Sequence, residues 1–208
     1  MSSSPLVFIY ADESCLGNQF KNRARPGGAA GMMEYRHPER GWVRRDLWTS
    51  EADTTNNRMA IVSATELLAA LKVPSRVVFT SDSRYLVDGI TKWVHGWARR
   101  GWTRKGGEIE NLHLWKALLP EVRRHEVQWR WVRGHAGHVQ NEYANFLAIR
   151  AATKQTRSGG LVESSFDEWL SREQERDKYL SHRPESPDDF EFKAASRPPA
   201  AYPSPLTG

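Results

Sequence analysis

Two short apolar runs in this chain each end in an aspartate, with a helix-periodic segment between them. Leu6–Ala11 reads as a buried strand stopping at Asp12, and Arg76–Thr80 reads as a second strand running into Ser81-Asp82-Ser83. Between them, Arg58–Leu71 carries Met59, Val62, Leu67 and Leu71 at helical spacing, after the capping residues of Thr54–Asn57 and before Pro74. Ala29–Tyr35 and Trp42–Trp48, separated by RHPERG, read as two further strands. Past the second aspartate the pattern predicts helices over Arg84–Ile90 and Leu112–Arg124, a strand over Val127–Val132 and a last helix over Val139–Thr153. This succession predicts an α/β fold, one mixed five-stranded sheet flanked by helices. Asp12 and Asp82 then fall at the carboxyl ends of strands, where open α/β sheets place their sites.

The charge is uneven. Residues 1–150 hold 22 Lys+Arg against 15 Asp+Glu, whereas residues 151–208 hold 8 against 10. The basic excess belongs to the predicted folded part, which suits an anionic partner such as nucleic acid. The lone cysteine, Cys15, has no intrachain disulfide partner, which fits a reducing compartment. The first residues carry no basic segment before their apolar run, and no apolar stretch is long enough to span a bilayer. A soluble, intracellular, cytoplasmic protein without membrane attachment is expected.

Composition changes at Ser158-Gly159-Gly160. The expected organisation is a domain over 1–153, a linker and charged amphipathic helix over 154–180, and a disordered proline-rich tail over 181–208. Ser165-Phe166-Asp167-Glu168 has the form of a capping box for that helix.

Six segments, in order, resemble the type 1 ribonuclease H family. They are Asp12–Asn18, Thr54–Met59, Thr80–Ser83, Gly89–Trp93 with Trp97–Trp102, Trp129–His138, and Asn141-Glu142. The resemblance covers about residues 5–153. It implies divalent-metal-dependent phosphodiester hydrolysis of RNA paired to DNA, with hard ions such as Mg²⁺ or Mn²⁺ held by carboxylates.

The family pattern has four metal-binding carboxylates. Asp12 and Asp82 match two of them, while Ala60 and Asn145 stand at the other two. His135 matches the histidine that assists proton transfer and product release; packing within its glycine-rich loop is the alternative role. Glu13 replaces a glycine of the family pattern beside Asp12, but strand alternation points it to the opposite face. Glu66 lies too far around its helix to help, and Glu142 stands where the family already has glutamate.

The binding residues match more fully. Thr55 and Arg58 match residues that grip a DNA-strand phosphate, and Asn18, Asn56 and Asn57 match groups near the minor groove of the hybrid; capping by Thr54–Asn57 is the other reading. Trp93, Arg99, Arg100 and Lys105, with Trp97, Trp102 and Arg104, resemble the basic handle that lies along the DNA strand. Trp97 and Trp102 are expected to pack inside, and Trp115, Trp129 and Trp131 are assigned to the core. Lys21, Arg23 and Arg25 lie in a loop longer than the family's and add cations beside it.

The leading expectation is therefore a protein that binds RNA/DNA hybrid but has lost most or all hydrolysis, with weakened Mg²⁺ or Mn²⁺ binding at Asp12 and Asp82. One alternative is an active hybrid nuclease whose site is rebuilt by Glu13, Asn145 or a substrate phosphate. Another is a non-catalytic subunit of a nucleoprotein complex, docking a protein partner through its tail.

Overall fold

In the computed structural model, the described residues are 4–17, 24–184 and 190–198. The strands are β1 (Leu6–Cys15), β2 (Gly27–His37), β3 (Gly41–Glu51), β4 (Arg76–Ser81), β5 (Glu126–Trp131) and β6 (Val162–Glu163). The helices are α1 (Asn56–Ala69), α2 (Arg84–Asp88), α3 (Val94–Arg99), α4 (Leu112–Arg124), α5 (Val139–Lys154) and α6 (Phe166–Gln174), and a π-helical turn, Gly89–Trp93, joins α2 to α3.

They form one sheet in the order β5-β4-β1-β2-β3-β6. The central strand β1 pairs parallel with β4 and antiparallel with β2. Its side chains are buried on both faces, which explains its unbroken apolar run. Val7, Ile9 and Ala11 face α1 and α4 in one core, while Phe8 and Tyr10 join Tyr143 and Leu147 of α5 in the other. Gly28 lies against α5 so closely that a Cβ would meet Ala148 O at 2.2 Å.

The mixed α/β architecture is as expected, but the sheet has six strands instead of five. The sixth is two residues pairing Val162 with Asp46 and Glu163 with Arg45, too short to carry a readable alternation. The capping box before α6 does not form. Ser165 makes no side-chain cap; Ser164 Oγ accepts from Phe166 N at 3.1 Å and Asp46 Oδ2 from Ser165 N at 3.2 Å. The buried carboxyl of Asp46 thus competes for the donors that a capping box would satisfy.

Disorder from Ser181 onward does not describe residues 190–198. Phe190 packs edge-on to Phe8, Phe192 lies under the Arg76 guanidinium, and Ala195 N donates to Val127 O at 2.8 Å. Two phenylalanines among polar residues suffice here because the sheet offers them an apolar margin. Among the described residues no helix is long and apolar enough to cross a membrane.

Candidate active site

The parallel pairing of β1 with β4 stops at Ala11 and Ser81, whereas β1 runs on beside β2 to Cys15. Beyond Ala11 the β4 side of β1 is therefore open, and the chain after β4 turns there through Asp82. Asp12 continues the α5 face of β1 and Glu13 the α1 face. At this open margin both side chains come round the strand end toward Asp82. Asp12, Glu13 and Asp82 each offer a carboxylate oxygen within 4.8 Å of the others. The expectation that Glu13 points away from the site is thus corrected: alternation separates two side chains only where a neighbouring strand fills the space between them.

Ala60 is fully buried in the core that contains Ala11 and offers no ligand atom. Relative to the family pattern, an acid is missing from the helix and an acid has been gained on the strand.

Asp12 is buried. Its Oδ1 accepts from Glu13 N at 2.7 Å, and its Oδ2 accepts from Asn141 Nδ2 at 3.3 Å. Asn141 also donates to Ala11 O at 3.2 Å, so α5 fixes the end of β1. Burial and the neighbouring Asp82 push the Asp12 carboxyl up to about 8. Burial, then Asp12 and Asp82, raise Glu13 well above the usual range, and burial raises Asp82. No Lys or Arg pairs with these carboxylates among the described residues. Glu13 Oε2 is enclosed without a hydrogen-bond partner. Three acids crowded together, with an enclosed oxygen lacking a donor, are what a divalent cation relieves. The donor set, all oxygen, fits Mg²⁺ or Mn²⁺.

Asn145 lies one helical turn beyond Asn141 on α5, on the same face. His135 sits in the loop after β5 with a left-handed backbone (φ 53°), its Nδ1 3.5 Å from Glu142 Oε2. Its positive potential lowers the Asp82 carboxyl, opposing the effect of burial. Gly134 closes that loop onto the site, since a Cβ there would lie 2.4 Å from Asp82 Oδ2.

The other site residues lie apart from this cluster. Thr55 caps α1, its Oγ1 accepting from Arg58 N at 3.3 Å, with Asn56 and Asn57 in the first turn. Arg58 lies 3.5 Å from Glu51 Oε1 and 3.4 Å from His113 Nε2. Asn18, Lys21 and Arg23 lie outside the described residues, while Arg25 pairs with Asp53 at 3.8 Å. On the handle, Trp93 is exposed between Tyr85 and Trp97, and Trp97 and Trp102 are buried as expected. Arg99, Arg100, Arg104 and Lys105 are exposed. Trp115 is in the core and Trp129 packs against it. Trp131 is corrected: it ends β5 at the sheet margin with its ring exposed, its Nε1 donating to Asp82 O at 2.9 Å.

A mixed sheet flanked by helices, with carboxylates gathered at its strand ends, defines the class of ribonuclease H-like α/β folds. The RNase H family profile matches residues 4–153. Ribonuclease H of Shewanella halifaxensis (strain HAW-EB4) is 42% identical over 153 residues, 73% of this chain and 89% of that protein. Ribonuclease HI of Vibrio cholerae serotype O1 (strain ATCC 39315 / El Tor Inaba N16961) is 45% identical over 151 residues, 72% of this chain and 90% of that protein. The crystal structure of LC9-RNase H1, described as a type 1 RNase H with the type 2 active-site motif, is 50% identical, superposes with a TM-score of 0.85 and covers 96% of both chains. The PFV RNase H domain, at 18% identity and TM-score 0.62, shares the fold. The chain belongs to the type 1 ribonuclease H family.

Proposed function

We propose that the protein is an active, divalent-metal-dependent endonuclease that cuts RNA paired to DNA, with Glu13 supplying the carboxylate that Ala60 lacks. The single observation that carries this reading is the convergence of Glu13 on Asp12 and Asp82. The expected loss of hydrolysis rested on counting family positions, two of four being empty. Counting oxygens at the site gives three carboxylates, with the Asn145 amide one turn beyond Asn141. The similarity to LC9-RNase H1, with its type 2 motif in a type 1 protein, favours the same reading.

Asp12, Glu13, Asp82 and Asn145 would hold the ions. When bound, Mg²⁺ or Mn²⁺ would acidify the attacking water and stabilise the leaving oxygen. Arg58 and the α1 N-terminus capped by Thr55 hold a DNA-strand phosphate, while Asn18, Asn56 and Asn57 meet the hybrid near its minor groove. Trp93, Arg99, Arg100 and Lys105 lie along the DNA strand and set its register. His135 has Nδ1 turned to Glu142, which leaves Nε2 as the atom that passes a proton to the departing product. With Ala60 offset by Glu13, near-ordinary ion affinity replaces the weakened binding expected from Asp12 and Asp82 alone.

No observation favours the docking-subunit reading. Phe166 and Trp169 of α6 are buried against Tyr143 within the chain itself, so these two side chains are engaged internally. A cytoplasmic location goes with the nuclease reading.

A labelled RNA/DNA hybrid incubated with Mg²⁺ or Mn²⁺ tests the proposal. Rapid cleavage by the native chain is expected, with Glu13→Gln slowing it by at least ~100-fold at unchanged hybrid affinity. An inert native chain, or full activity in Glu13→Gln, would refute it.

A further inference from the structure

Beside the carboxylate cluster, the surface carries a cation with no role in the reading above. Arg84 opens α2, two residues after Asp82, and its side chain is exposed. Its guanidinium lies over the exposed indole of Trp131, Cζ 3.8 Å from the ring centroid. Trp131 is itself anchored to the strand end that bears Asp82, through Nε1 and Asp82 O at 2.9 Å. Among the described residues no carboxylate pairs with Arg84. An arginine free to roam would gain nothing from this position. Stacked on a fixed ring, its planar rim of N–H donors is held in one orientation. The indole covers one face of the cation but takes none of the rim donors, and those donors match the oxygens of a phosphodiester.

We infer that Arg84, held over Trp131, is a further phosphate-binding residue that seats the hybrid backbone next to the carboxylate cluster. The inference rests on the proposed hybrid-nuclease function and adds a contact on the Asp82 side of the site. The grip of Thr55 and Arg58 is built on a different element, the start of α1. Two anchors on separate elements fix the angle of the backbone, which a single anchor leaves free to pivot. Trp131 acts as a positioning residue in this arrangement and Arg84 as the contact.

The test is equilibrium binding of a fluorescent RNA/DNA hybrid to the full chain without divalent ion, across a series of salt concentrations. Each phosphate neutralised contributes roughly 0.9 to the slope of log K against log salt. Arg84→Ala should reduce that slope by about 1 and weaken binding on the order of fivefold. Arg84→Lys keeps the charge but loses the stack; it should restore the slope with intermediate affinity. In Mg²⁺, Arg84→Ala should raise KM and leave kcat within about twofold, with its melting temperature unchanged. A native slope and affinity in Arg84→Ala would overturn the inference, as would an Arg84→Lys slope equal to that of Arg84→Ala. A purely structural stack would move the melting temperature and leave the slope alone, which also overturns it. A native chain that binds no hybrid would defeat the functional reading itself, whereas native binding unaffected by Arg84→Ala defeats this inference alone.

Discussion

Asp12 shows how one residue records the state of the site. Burial, then the neighbouring Asp82, push its carboxyl up to about 8 in the folded protein, against an ordinary value of 3.8. Between those two values the folded chain keeps a proton that the unfolded chain has released. The folded state then binds more protons, so stability falls as pH rises from about 4 to about 8, and is recovered as pH falls through that window. Glu13 and Asp82, also raised, act in the same direction. Thermal unfolding in EDTA should therefore give a lower midpoint at pH 8 than at pH 5. Asp12→Asn should raise the pH 8 midpoint by at least ~3 °C. Mg²⁺ should lift the native protein at pH 8 by binding only the folded, deprotonated site, and should lift Asp12→Asn far less. Equal midpoints at both pH values in EDTA would contradict this account.

At the scale of the element, the site has moved a carboxylate from helix to strand. Glu13→Gly should abolish cleavage, and adding Ala60→Glu should return at least ~10-fold of the lost activity by refilling the α1 position. Hydrolysis assays on the single and double variants measure this directly, and a double variant as dead as Glu13→Gly would show that the two positions do not exchange. The sequence displayed both halves of this exchange, an unexpected acid at Glu13 and a missing one at Ala60. What it did not display is that β4 ends at Ser81 while β1 continues to Cys15. Strand lengths are set by pairing with neighbours, so the open margin where Glu13 comes round is a tertiary fact. Asp12 and Asp82 were legible because buried apolar runs led straight into them. β1, β4, α4 and α5 were legible for the same reason, through long periodic stretches. Trp131 was misread because its alternating strand places it inward by pattern, while the sheet ends there and leaves the ring at the surface under Arg84. The two-residue β6 had no pattern to read.

At the scale of the whole molecule, the segment after α5 belongs to the folded body. α6 buries Phe166 and Trp169 on α5, Arg44 joins Glu34 to Asp167 at 2.8 and 2.9 Å, and Tyr143 donates to Asp46. A chain ending at Thr153 would lose Phe166 and Trp169, uncover Tyr143 beneath them, and leave Asp46 without its partners at Ser164 and Ser165. It should lose at least ~3 kcal/mol of stability, read as a lower urea midpoint, while retaining the carboxylate cluster and hence measurable cleavage at low temperature. A truncated chain as stable as the full one would show that α6 contributes nothing to the fold.

β5 is one edge of the sheet, and its outer rim is open to pairing. Residues 190–198 lie across that rim and take Val127 O, while Lys193 N takes the amide oxygen of Gln128. This stretch therefore acts as a selvedge: it covers part of an open sheet edge, the kind of margin on which a further strand could otherwise be knitted.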